Sequence, residues 1–281
     1  MHDSITVTGL FTYPIKSCKG TVLTRAELDE RGIAGDRSLM IVTPEGRFLT
    51  QREIPRMAQI QPALDRTSQT LTLKANGEAQ EVLTIEITNR ATPATLMNTV
   101  VWGDECHSVA QDPRANEWLG AFLGTECRLV TMEQGFKRLV DETYAVNPKH
   151  DHTGFADGFH ILLVSEESLE SLNTRLVERG NEAVPMNRFR PNIVVKGTQP
   201  FAEDSWRDFR INDVAMRGVK PCGRCIMTTI DQERGEKTGK EPVATLNTFR
   251  KSADGKKILF GQNVINVEQG FINIGDRIQF L

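Results

Sequence analysis

The sequence lacks an excess of charge of either sign, a hydrophobic run long enough to cross a bilayer, and a regular pairing of cysteines. Lys and Arg number 34 against 37 Asp and Glu, a formal net charge of -3. A general nucleic-acid binder carries a clear basic excess, so no nucleic-acid polymer is expected as a partner. No apolar stretch approaches bilayer length, and the opening Met1-His2-Asp3-Ser4 has no signal-peptide core. The expected setting is therefore the cytoplasm, without a membrane. Five cysteines (Cys18, Cys106, Cys127, Cys222 and Cys225) form an odd set scattered over 281 residues. That pattern suits reduced thiols better than a disulfide framework. A nucleophile elbow, H-E-x-x-H, an EF-hand loop and G-x-G-x-x-G are all missing, and Lys16-Ser17-Cys18-Lys19-Gly20 lacks the frame of a Walker loop. Carboxylates such as Glu142, Asp151 and Asp157 fall into no recognisable acid–base pair.

What is present is mostly strand pattern. Ile5, Val7 and Leu10 open one run, and Val22, Thr24, Ala26 and Leu28 share a face of a second. Ser38–Val42, Leu71–Leu73 and Val82–Ile87 follow, with Pro44-Glu45-Gly46 as a turn. Short strands separated by Gly, Pro and Asn indicate a β-rich sheet or barrel, not alternating βαβ units. Three helices interrupt them. Residues 113–123 have Asp112 as cap, Pro113 at the first position, an apolar stripe of Ala115, Trp118, Leu119, Phe122 and Leu123, and Gly124 at the end. Residues 166–178 have Ser165 as cap, Glu166 and Glu167 in the first turn, a face of Leu169, Leu172 and Leu176, and Gly180 to close. A short third helix is expected at Val243–Arg250. Strand character returns at Asn192–Val195, Val214–Val219, Ile226–Ile230, Val264–Val267 and Ile272–Leu281. The polar stretch from Val146 to Gly158 reads as a surface loop. The pattern gives a mainly β protein with a few helices, in two parts, 1–125 and 126–281.

Two groups of residues carry chemistry. Cys222-Gly223-Arg224-Cys225 is a lone C-x-x-C. A structural zinc site requires a second ligand pair, and His150 and His152, spaced two apart in a polar loop, read as solvated histidines. A thioredoxin-like pair would open a helix, where a strand is expected here. Spacing leaves the pair open between buried structural thiols and a metal-binding thiolate. Lys220 and Arg224 favour the thiolate, a soft ligand for a metal already held by sulfur. The second group is basic: Lys16-Ser17, Gly35-Asp36-Arg37 and Asn187-Arg188-Phe189-Arg190-Pro191-Asn192, each at a strand edge. Any one of these suits solvated charges beside a turn; together, in an acidic chain, they point to a small anionic ligand.

Six segments in one order (Tyr13-Pro14-Ile15-Lys16-Ser17, Gly35-Asp36-Arg37, Trp102-Gly103-Asp104, Phe189-Arg190-Pro191-Asn192, Glu203-Asp204-Ser205-Trp206 and Cys222 to Thr229) resemble the MOSC-domain family, with its N-terminal MOSC β-barrel domain. Within that family the segments resemble the mitochondrial amidoxime-reducing component and its bacterial counterparts. The resemblance implies a β-barrel MOSC domain, an N-terminal β-barrel-like domain, and a molybdenum-pyranopterin cofactor between them. Cys225 matches the metal ligand and catalytic cysteine. Lys16, Ser17, Arg37, Arg190, Asn192 and Arg224 match cofactor-binding positions, and Asp157 and Gly158 match a loop lining the cofactor. Trp102 is expected in the core. The implied activity is reduction of small N-hydroxylated compounds, namely amidoximes, hydroxylamines and N-hydroxylated bases. The cysteines of a C-terminal ferredoxin domain are absent from this sequence, and no N-terminal anchor segment is expected. Electrons are thus expected from a separate flavoprotein, ferredoxin or cytochrome b5-like protein. Similarity to the C-terminal part of molybdenum-cofactor sulfurases gives the alternative, a cofactor carrier or maturation protein.

Overall fold

In the computed structural model, residues 4–75 and 80–281 are described. Among the described residues short strands dominate, with three α-helices, and no helix is long and apolar enough to cross a membrane. The largest sheet has eight strands in the order Thr21–Leu23, Thr6–Thr12, Ile193–Lys196, Ile161–Ser165, Ile258–Asn266, Val214–Arg224, Asp208–Ile211 and Ile278–Phe280. The first strand of the chain pairs with Ile193–Lys196, Thr6 opposite Lys196 and Leu10 opposite Ile193. That register carries Tyr13 through Ser17 to the segment containing Arg190 and Asn192, and it founds the site described below.

Ile161–Ser165 and Ile193–Lys196 run parallel, connected through the helix Glu166–Glu178. This is one βαβ crossover in a chain whose pattern suggests none; a parallel pair requires such a connection. A second sheet aligns Leu39–Val42, Arg128–Met132, Asp104–Ala110 and Leu96–Val101. Its Leu39 and Ile41 pack with Trp118, Leu119 and Phe122 of the helix Pro113–Leu123 in one apolar cluster.

Both long helices form where their end signals place them. Asp112 accepts from Arg114 N, and Gly124 closes the first helix in the left-handed region. Ser165 accepts from Ser168 N at the start of the second. Such caps satisfy amide groups that a helix terminus leaves open. The third spans Val243–Phe249.

The run expected as one strand at Ile272–Leu281 is two, Gly270–Asn273 and Ile278–Phe280, because the chain turns at Gly275 with φ 90°, and three further elements differ from expectation. Ile226–Thr229 is a 3-10 turn, and only Ile230-Asp231 is strand. The β-branched run misleads because Thr228 and Thr229 donate their hydroxyls to the carbonyls of Cys225 and Ile226, at 3.0 and 2.7 Å. Such local bonds offer the backbone an alternative to a ladder. Val22 and Thr24 do not share the buried face of Ala26 and Leu28. Thr21–Leu23 pairs with the first strand, Arg25–Asp29 pairs with Gly270–Asn273, and the chain changes sheet at Thr24. The stretch His152–Ala156 is buried, not a surface loop: His152-Thr153 pairs with Arg138-Leu139. His152 is enclosed, its Nδ1 2.7 Å from the His150 carbonyl and its Nε2 3.2 Å from Glu30, while His150 is exposed.

Cys18, Cys106 and Cys127 are buried and unpaired. Burial pushes the Cys18 thiol from 9.0 up to about 12 and those of Cys106 and Cys127 to about 11. A folded-state pKa raised in this way contributes stability that is complete below the unfolded value of 9.0 and is lost as pH rises through 11 to 12. Between pH 9 and 10 the urea midpoint should therefore fall, and fall less steeply in Cys18→Ala, whose absolute stability is lowered by the cavity. Equal slopes in the two proteins would exclude the buried thiol as the cause. Staying below pH 10 avoids Arg190, whose lowered pKa of about 10 contributes the opposite slope.

Candidate functional site

The strand Val214–Arg224 carries the cysteine segment. Its pairing with Ile258–Asn266 slips between Gly218 and Lys220 and again between Pro221 and Gly223, bulges that re-aim the side chains beyond them. The strand ends at Arg224, and Cys225 opens the 3-10 turn in an extended conformation. Cys225 is exposed and Cys222 half-buried. Arg224 donates from Nη1 to Cys222 Sγ at 3.2 Å and from Nη2 to the Phe189 carbonyl at 2.7 Å. Lys220 does not serve either thiol; its ammonium lies 3.8 Å from the ring centre of Tyr144 and 5.1 Å from that of Phe159. The cation at Cys225 is one the sequence pattern does not mark, Arg52, with Nη1 4.0 Å from Sγ.

Opposite this strand the basic clusters converge. Lys16 is buried, donating to the Phe155 carbonyl at 2.8 Å and to Asp157 at 2.5 Å. Burial pulls its pKa down, and Asp157 offsets part of that. Asp157 leaves 73% of its side chain open, so water screens this pair. Ser17 takes the left-handed conformation, φ 66°, with its hydroxyl buried. Arg37 and Arg190 sandwich Tyr13, each guanidinium carbon 4.3 Å from the ring centre, and the Tyr13 hydroxyl donates to the Pro191 carbonyl at 3.0 Å. Arg37 is paired with Asp36 and donates to Asn192 Oδ1 at 3.0 Å. The same Asn192 Oδ1 accepts from Leu162 N while its Nδ2 donates to the Phe11 carbonyl, and the amide so held fixes Arg37. Arg190 reaches Gln232 Oε1 at 3.3 Å, and burial lowers its pKa to about 10.

Lys16, Ser17, Arg37, Asp157, Gly158, Arg190, Asn192 and Arg224 all line a single cleft of about 500 Å³. Eight Lys or Arg and one Asp stand in its walls, within an acidic chain. Cys225 is not a wall residue; it lies beside the cleft, joined to it by Arg52 and by its neighbour Arg224. Three buried polar atoms of this lining have no partner among the described residues: Ser17 Oγ, Arg190 Nη2 and Arg224 Nε. An unsatisfied buried donor costs about 1–3 kcal/mol, more when charged, so three around one cleft fit an anionic ligand with several acceptors. A larger space of about 850 Å³ beside the helix Glu166–Glu178 has no Lys, Arg or Cys in its walls and cannot do this. Among the described residues, no group of three or more His, Cys, Asp or Glu is placed to hold a metal.

Several contributors carry no mark in the sequence. Arg138, buried, donates to the carbonyls of Gly154, Ala156 and Asp157 and to Asp104, and so shapes the cleft loop from behind. Gly154 packs on that loop because a Cβ there would meet the Arg37 carbonyl at 2.9 Å. Gln51 and Gln232 exchange amide bonds 181 residues apart, and Gln51 also holds the Ser17 carbonyl. Trp102 is not in the core: 48% exposed, with φ 59°, it donates to Asp157 at 3.3 Å.

Residues 4–126 match the MOSC N-terminal beta barrel domain and residues 150–279 the MOSC domain. The mouse protein "Mitochondrial amidoxime-reducing component 1" is 36% identical over 290 residues, covering 98% of this chain and 82% of its own. The human protein of the same name is 33% identical over 291 residues, with 98% and 83% covered. "Molybdenum cofactor sulfurase" of Oryza sativa subsp. japonica is 30% identical over 270 residues, 92% of this chain but 32% of its own length.

Proposed function

This chain belongs to the MOSC family, and from that premise we propose that it is a molybdenum-cofactor-dependent reductase of N-hydroxylated compounds. The observation that carries the reading is the cationic cleft beside an exposed cysteine, with three buried donors left open in its lining. The relatives named amidoxime-reducing components supply the reaction class. We divide the chain at about residue 125, with support from the two family matches.

When bound, the molybdenum centre supplies the two-electron chemistry that removes the oxygen of an N–OH group. The chain's residues do the rest. Cys225 offers the protein's thiolate; one such ligand suits a metal that arrives with sulfur of its own. Ser17, Arg190 and Arg224 present open donors to an anion, and Lys16 and Arg37 add positive charge behind them. Asn192 and Gln232 hold the two arginines in place. Substrates are small amidoximes, hydroxylamines or N-hydroxylated bases, and electrons come from a separate donor protein. The deciding experiment measures molybdenum in the native protein and benzamidoxime reduction with a chemical donor. A molybdenum-free protein with no turnover would overturn the reading. The similarity to a cofactor sulfurase supports a second reading, a cofactor carrier. Transfer of bound cofactor to an apo-molybdoenzyme, without turnover, would select it.

A further inference from the structure

Arg52 stands on a locked backbone, because its neighbour Gln51 is fully buried and tied to the Ser17 carbonyl and to Gln232. Its guanidinium carbon lies 4.4 Å from the ring centre of Trp102, and its Nη1 lies 4.0 Å from Cys225 Sγ. Trp102 is held in turn, by its indole bond to Asp157 and by the edge of Phe48 at 5.3 Å. Asp157 is the carboxylate of Lys16, so a continuous chain of contacts runs from Lys16 through Asp157, Trp102 and Arg52 to Cys225. Among the described residues Arg52 has no carboxylate partner. It is thus a cation without a carboxylate partner among the described residues, lying over the Trp102 ring in the wall of the cleft next to the cysteine.

We infer that Arg52 is the group that orients the substrate's N–O oxygen, and that Trp102 positions Arg52; this rests on the reductase reading. The reaction takes two electrons from the donor protein and two protons from solvent, breaks the N–O bond, and leaves an N–H and water. Negative charge grows on the oxygen as that bond breaks. A guanidinium offers a planar set of N–H donors and no acceptor, so the role open to Arg52 is to donate hydrogen bonds to the oxygen. A donor fixed in advance at the place where charge develops stabilises the transition state more than the bound substrate. Contact with the indole holds the guanidinium without using its N–H groups, which leaves those not directed at Cys225 Sγ for the substrate.

The test uses holoenzyme variants R52A, R52K, W102A and W102F. It records molybdenum content, benzamidoxime turnover with reduced methyl viologen, and the Kd of benzamidoxime from quenching of tryptophan fluorescence in the oxidised protein. R52A should keep wild-type molybdenum content, raise Kd by less than about fivefold, and lower kcat by about 100-fold, the scale of a lost transition-state donor. R52K should recover about a tenfold part of that loss, because a point charge replaces the fork. W102A should lose about tenfold in kcat and W102F should recover most of it, since Phe keeps a ring face under the cation. A wild-type kcat in R52A overturns the role, and so does loss of molybdenum from R52A, which would make Arg52 part of ligand binding. Unchanged kcat in W102A overturns the positioning by Trp102. A wild type without molybdenum and without turnover overturns the functional reading and this role together.

Discussion

Cys225→Ser should abolish benzamidoxime reduction, to below about 1% of the wild-type rate, and should leave the fold intact. A serine hydroxyl is neither a soft donor nor deprotonated near neutrality, so the substitution removes the thiolate without opening space. The fold survives because Cys225 is exposed and follows the last paired strand residue, Arg224. Exposed substitutions away from caps and networks shift stability by about 0.5 kcal/mol or less. Circular dichroism and the urea midpoint should therefore match wild type while turnover disappears. Cys222→Ser tests the choice between the two thiols. Cys222 already accepts from Arg224, and an oxygen there keeps an acceptor for that guanidinium, so activity should stay within about tenfold. Activity in the Cys225 variant, or its loss in the Cys222 variant alone, would transfer the ligand to Cys222.

Arg190→Ala should lower the occupancy of the site by cofactor. Arg190 is buried, stacked on Tyr13, with one bond to Gln232 and a second amino group without a partner. Its pKa, lowered by burial to about 10, shows that the apo-protein holds this charge against the preference of its surroundings. An anion in the cleft relieves that. One charge-assisted bond contributes about 1.5–3 kcal/mol, so the variant should bind cofactor roughly 10- to 150-fold more weakly. The sign of the pH effect follows. A cation whose pKa falls on folding binds fewer protons in the native state from about pH 10 up to its ordinary value, so it makes stability rise with pH there. Arg190→Ala should remove that rise. Molybdenum content after purification, beside the apo-protein's urea midpoint at pH 8 and pH 11, reads both effects. Full occupancy in the variant would show that Arg190 serves the fold and not the ligand.

Much of the fold was legible because its signals are covalently local. Asp112, Pro113 and Gly124 set both ends of one helix, and Ser165 with its two glutamates set the start of another. The same local character misled at Ile226–Thr229, where β-branched residues bonded their own backbone instead of a neighbouring strand. It misled again at His152, since polarity along the chain says nothing about what packs over it from 122 residues away, here Glu30.

The candidate site divides along the same line. The order of the motifs named the residues that line the cleft, and the amino-acid types alone determined that they attract an anion. Only tertiary structure decided that Arg37 and Arg190 share Tyr13, that Asn192 and Gln232 steer them, and that Arg138 supports the loop behind Asp157. It also decided which cation meets which thiol. Lys220, five residues from Cys225, turns to aromatic rings, whereas Arg52, 173 residues away, reaches the sulfur. Along a strand, bulges and pleat set where a side chain points. Across the molecule, the register of Thr6–Thr12 against Ile193–Lys196 sets which segments meet, and neither is written in the spacing of charges.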